Sequence, residues 1–137
     1  MNKVILYGRT TRELDLKYAP ESGYAYLFNS IAVERYDGKN KKKVTDFFNI
    51  VISGKNAENI ATYSKKGGRI IINGYLRNSS YEKNGEKRTS TEVVVEHLKL
   101  VDVYKIDNKG IADINDLELI EEEVPEVFKD ELDFLSR

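Results

Sequence analysis

One short segment breaks the period of this 137-residue chain. Over residues 56–66 (NAENIATYSKK), Ala57, Ile60, Ala61 and Ser64 recur at helical spacing and fall on one face. Asn56 is placed to cap the start of this helix and Gly67-Gly68 to end it. On both sides the chain reads as strands. Residues 3–9 (KVILYGR) are apolar and β-branched, 24–36 (YAYLFNSIAVERY) are rich in strand formers, and 44–53 end in DFFNIVIS. An Asp37-Gly38-Lys39-Asn40 turn separates the second strand from the third. After the helix come 69–79 (RIIINGYLRNS) and 88–101 (RTSTEVVVEHLKLV), joined through Asn84-Gly85, a strong hairpin signal.

A lone helix between the third and fourth of five strands is the element order of an OB-fold, an all-β, five-stranded Greek-key barrel. The barrel is expected over residues 1–101. Residues 102–137 read as an acidic, largely flexible C-terminal tail. Acidic and apolar residues mix there without a strand period, and Pro125 interrupts the helical spacing of Leu117, Ile120, Val124, Val127 and Phe128. A terminal helix packed on the barrel is the alternative for that stretch.

The net charge of -1 hides an asymmetry. Residues 1–105 carry 19 Lys and Arg against 12 Asp and Glu, and residues 106–137 carry 3 against 11. A basic body with an acidic end points to a polyanionic partner for the body. Catalytic classes find no support. With no Cys there is no thiolate nucleophile or thiolate metal site, and one imidazole, His97, cannot build a His cluster. No phosphate-binding glycine loop and no nucleophile elbow occurs, so no enzyme activity, cofactor or metal is expected. No apolar run approaches the ~20 residues of a membrane span, and the N-terminus lacks the apolar core of a signal peptide.

The sharpest single signal is Phe47-Phe48. Adjacent strand residues point to opposite faces, so a one-sided core hides at most one of them. Phe48 shares its parity with Ile50 and Ile52 and is expected inside. Phe47 shares the mixed parity of Thr45, Asn49, Val51 and Ser53 and is expected outside, where a ring can stack on a nucleobase at about 1–3 kcal/mol. A subunit contact is the rival use for such a ring.

These segments carry a resemblance. KVILYGR, PESG, SIAVER, TDFFNIVISGKNAENIATYSKKG and IINGYLRNSSYEKNGEKRTSTEVVVE follow one another as in the bacterial-type single-stranded DNA-binding proteins, over residues 1 to about 101. The resemblance implies an OB barrel that binds single-stranded DNA of any sequence, commonly as a homotetramer, in replication, recombination and repair. It implies base stacking by Phe47 and Tyr81, with Tyr36 one residue away from the family's strand-two aromatic. It also implies phosphate contacts by Lys17, Lys55, Lys66 and, more weakly, Arg77. Ser53 stands where the family commonly carries a further aromatic. The acidic tail implies recruitment of replication and repair proteins, here through Asp130, Glu131, Asp133 and Phe134, although Ser136-Arg137 follow where the family ends in an apolar tip. The tail is also placed to compete for the basic groove as an internal mimic of DNA. The implied location is cytoplasmic and nucleoid-associated. An OB adaptor that binds proteins through Phe47 and Tyr81 is the alternative function.

Overall fold

In the computed structural model, which describes residues 1–104 and 124–135, six strands and two helices follow one another. They are β1 (Val4–Thr10), β2 (Lys17–Tyr18), β3 (Ala25–Asp37), β4 (Lys42–Ser53), α1 (Gly54–Tyr63), β5 (Arg69–Lys83), β6 (Glu86–Leu100) and α2 (Glu126–Leu135). β2 is a two-residue strand paired with the start of β3, so the five long strands are β1, β3, β4, β5 and β6. α1 occupies the slot read from the sequence, between the third and fourth of these.

The sheet closes on itself. Neighbours run β1-β5-β6-β4-β3, and β3 returns to β1 where Arg9 meets Ala32 and Thr10 meets Ile31. β4 and β6 run parallel and pair at Ile50 with Val93 and Val51 with Val94; the other pairings are antiparallel. This is the five-stranded OB barrel. Its interior is filled by Leu27, Ile31, Ile50, Ile52, Ile70, Ile72, Val93, Val95 and Leu98, to which α1 adds Ala57 and Ile60. Each buried Val, Leu or Ile contributes about 1.5–3 kcal/mol by leaving water. A β-bulge between Asn73 and Gly74 brings β5 hard against β6, and a Cβ at Gly74 would run into the Val94 carbonyl. At the far end of this pair Asn84 and Gly85 take φ values of 54° and 79°, the left-handed turn that their sequence favours.

Two details of α1 differ from the sequence reading. Ser53, in extended conformation, is the residue that precedes the helix, and Asn56 lies inside the first turn. There Asn56 is buried and its Nδ2 donates to the Glu96 carbonyl at 3.1 Å, tying α1 to β6. The helix ends at Tyr63, before the Gly67 turn.

The chain leaves the barrel under restraint. Asp102 accepts from the Arg69 guanidinium at 3.0 and 2.8 Å and from the Arg69 N–H at 3.0 Å. Arg69 therefore holds the Asp102 carboxyl well below the usual carboxylate range, first through its side-chain and then through its backbone hydrogen bonds. Tyr104 N–H donates to the Tyr63 carbonyl at 2.8 Å, and Lys65 Nζ sits 4.3 Å from the Tyr104 ring centroid.

The expectation of a largely flexible tail does not hold for residues 124–135. Pro125 precedes α2 instead of breaking it, and its carbonyl accepts the Lys129 N–H at 3.0 Å, a position that needs no proline donor. Phe128 and Leu132, one turn apart, then form an apolar stripe. With Val124 they are buried against Ala19, Tyr26, Val51 and Val94 on the outside of the barrel.

Candidate nucleic-acid interface

The long β3–β4 hairpin sets the geometry. Cross-strand partners share a face, and the register pairs Tyr26 with Ser53, Phe28 with Val51, Ser30 with Asn49, Ala32 with Phe47 and Tyr36 with Lys43. These residues make the outer face, since Leu27, Ile31, Ile50 and Ile52 fill the interior. Phe47 is 65% exposed there. Tyr36, 66% exposed, lands on the same face. Three exposed lysines, Lys41, Lys42 and Lys43, follow it at the hairpin end.

Phe48 corrects the sequence reading. It faces the core side opposite Ile31, yet it is 40% exposed. β6 accompanies β4 only from Ile50 onward, so Phe48 projects beyond the rim of the barrel. Alternation gives the side of a strand that a residue faces, not how far the neighbouring strand reaches.

Tyr81, half-buried on β5, lines a groove together with Arg12, Phe28, Asn49 and Lys83, and Leu135 of α2 reaches into it. Asn49 is two residues from Phe47 on the same face, so Phe47 and Tyr81 border one continuous outer surface. Arg12 is positioned by a buried amide. Asn29 Oδ1 accepts the N–H groups of Thr11 and Arg12, both at 3.2 Å, and its Nδ2 donates to the Arg12 carbonyl at 3.1 Å.

The remaining expected cations are scattered. Lys17 stands opposite Tyr26 on β2, with its Nζ 3.7 Å from the Asp15 carboxylate. Lys55 opens α1 and Lys66 lies in the turn after it; both are exposed and neither lines the groove. Arg77 is the clearest departure. Its guanidinium bonds Glu92 at 2.6 Å, and the two side chains are only 15% and 8% exposed. It braces β5 against β6 and is not an open phosphate contact.

In α2, Asp130 is exposed, while the side chains of Asp133 and Phe134 lie outside the described residues. Glu131 is buried, with one oxygen accepting the Glu21 N–H and the other the Ser22 N–H, each at 3.1 Å. Hydrogen bonding from the Ser22 side chain, then from the backbone of Glu21 and Ser22, keeps its carboxyl below the usual range despite burial. The Phe128 ring centroid lies 5.1 Å from that of Tyr24 and 5.9 Å from that of Tyr26, and Tyr26 meets Phe28 edge-on at 5.6 Å. Sequence reading passed over this group, although the alternation in YAYLF announces it. Ser53, where β4 lacks a ring, has the Tyr26 ring directly across from it on β3.

An OB barrel whose outer face presents exposed rings beside lysines and a polar groove belongs to the class of binding barrels. The family model described as "Single-strand binding protein family" matches residues 1–101, and the chain belongs to that family. A single-stranded DNA-binding protein of Clostridium tetani is 38% identical over 119 residues, covering 86% of this chain and 82% of the relative. Single-stranded DNA-binding protein 2 of Clostridium acetobutylicum is 40% identical over 109 residues, 79% of this chain and 82% of the relative. A solved structure, the Plasmodium falciparum SSB complex with ssDNA, superposes with a TM-score of 0.61 at 27% identity, covering 69% of this chain and 85% of that one. These relatives are named as DNA-binding proteins and not as enzymes.

Proposed function

We propose that this chain binds single-stranded DNA of any sequence and protects it during replication, recombination and repair. The observation that carries the reading is Phe47, a large ring left in water on the same face as the Tyr81 groove and the hairpin lysines. Every unpaired base offers a π-face to such a ring, whereas the bases of a duplex are already stacked on one another. Lys41, Lys42, Lys43 and Arg12 supply the phosphate contacts, and displaced counterions make binding salt-sensitive. No chemical step is involved.

The same reading includes self-association, with a tetramer as the implied state. Ile5 and Tyr7 project from β1 with 65% and 51% exposure, an apolar strip suited to a second copy. Asp130 is an exposed acidic residue on α2 through which replication and repair proteins would engage the tail. Among the described residues no helix is long and apolar enough to cross a membrane, and a cytoplasmic, nucleoid-associated location is part of the proposal.

Titration of fluorescent oligo(dT) with the full chain tests the function. Saturable binding that weakens with salt, and that outcompetes duplex of equal length, is expected. Absence of binding at micromolar protein would point to a protein-binding adaptor instead.

A further inference from the structure

β1 and β3 meet for only two residues, Arg9 with Ala32 and Thr10 with Ile31. Gly8 sets the fork where they part. A Cβ there would run into the Ala32 carbonyl, so a glycine is what lets the strands touch at this point. The ladder stops short of Tyr7 on β1 and Glu34 on β3, and a cleft of about 440 Å³ opens between them. Sites for small organic groups span roughly 300–1,000 Å³. Tyr7, Arg9, Ala32, Glu34, Thr45 and Arg69 line the cleft. Ala32 is also the cross-strand partner of Phe47, so the cleft adjoins the exposed ring.

Its charges suit a base better than a phosphate. Arg69 is committed to Asp102 at 3.0 and 2.8 Å, and its Nη1 donates to the Tyr7 hydroxyl at 3.3 Å. Arg9 Nη1 donates to the Gly67 carbonyl at 3.0 Å, which orients the guanidinium. The rest of that guanidinium and the Glu34 carboxylate have no hydrogen-bond or ion-pair partner among the described residues. A phosphate beside Arg9 would also meet the negative charge of Glu34. A neutral base can satisfy both groups through its edges.

We propose that this cleft is a base-reading subsite that selects guanine within an otherwise sequence-tolerant footprint. Arg9 donates to guanine O6 and N7, and Glu34 accepts from N1–H and the N2 amino group. Guanine alone offers two acceptors on one edge and two donors on the next. The proposal rests on the single-strand reading above and goes beyond it by giving the bound strand a preferred base.

Fluorescence anisotropy on the full chain tests it. Oligo(dT) is compared with an oligo(dT) of equal length that carries isolated guanines, spaced so that they neither pair nor form quadruplexes. The guanine strand should bind roughly tenfold tighter, the discrimination of one bidentate contact. Hypoxanthine, which lacks the N2 amino group, and 7-deazaguanine, which lacks N7, should each lose most of that gain. Isolated adenines or cytosines should give none. Glu34→Ala should bring the ratio of guanine-strand to oligo(dT) affinity close to one, and so should Arg9→Ala; both side chains are exposed, so neither change empties the core. Equal binding of the two strands by the parent overturns the subsite. So does a gain matched by adenine, which is purine stacking on Phe47 alone, or a gain that survives both substitutions. A parent that binds neither strand defeats the single-strand reading itself, which separates the two failures.

Discussion

Phe47 and Arg77 show how differently two expected contact residues can behave. Phe47→Ala removes a ring that touches mostly water, so its thermal midpoint should stay near that of the parent, since surface changes usually fall within about 0.5 kcal/mol. Its oligo(dT) affinity should drop by the roughly 1–3 kcal/mol of one stacked base. Arg77→Ala should do the reverse. It breaks the ion pair with the buried Glu92 carboxylate and should cost about 3 kcal/mol of stability, read as a lowered melting midpoint, with little change in DNA affinity per folded molecule. Period-two reasoning found Phe47 because parity is a local property. It passed over the Arg77–Glu92 pair, which needs the cross-strand register counted back from the Asn84-Gly85 turn and not the alternation of one strand; that register runs unbroken from the turn to this pair, and the bulge at Asn73/Gly74 lies beyond it.

At the scale of elements, α1 and the long strands were legible from the change of hydrophobic period, and the Asn84-Gly85 hairpin from turn chemistry. β2, two residues long, was too short to announce itself in the sequence. α2 was read only as the alternative to a flexible tail, because a proline in an apolar stripe looks like a break, while the same residue just outside the first turn is an ordinary start. Docking of α2 should depend on pH through Glu131. Its carboxyl titrates lower when docked than in the unfolded chain, so the stabilisation is fully present above the ordinary glutamate value of ~4.3 and is lost as pH falls through the lowered value. The near-UV circular dichroism of Tyr24 and Tyr26, packed on Phe128, should weaken on acidification from pH 5 to pH 3. In Glu131→Gln the signal should lose most of this pH dependence.

Among the described residues, a basic cluster and an apolar strip lie on different strands. The hairpin end gathers Lys41, Lys42 and Lys43, whereas β1 presents Ile5 and Tyr7. Replacing Lys42 and Lys43 by Gln should weaken binding to all sequences alike. It should also flatten the log affinity against log salt plot by about 1.4, at ~0.7 for each lost phosphate contact. Ile5→Glu should leave the barrel folded and lower the mass seen by light scattering, because a charge on an apolar strip opposes a second copy. Neither surface was readable as a place in space from composition alone; the charge asymmetry along the chain gave only its sign.

The position of α2 after the barrel strands in chain order has a consequence for synthesis. Every strand of the barrel has left the ribosome once Leu100 has emerged, whereas Phe128 and Glu131 follow some thirty residues later. At translation speeds of about 5–20 residues per second, each new molecule passes through a brief interval with its aromatic strip bare. A nascent chain therefore exposes Tyr24 and Tyr26 until α2 is delivered.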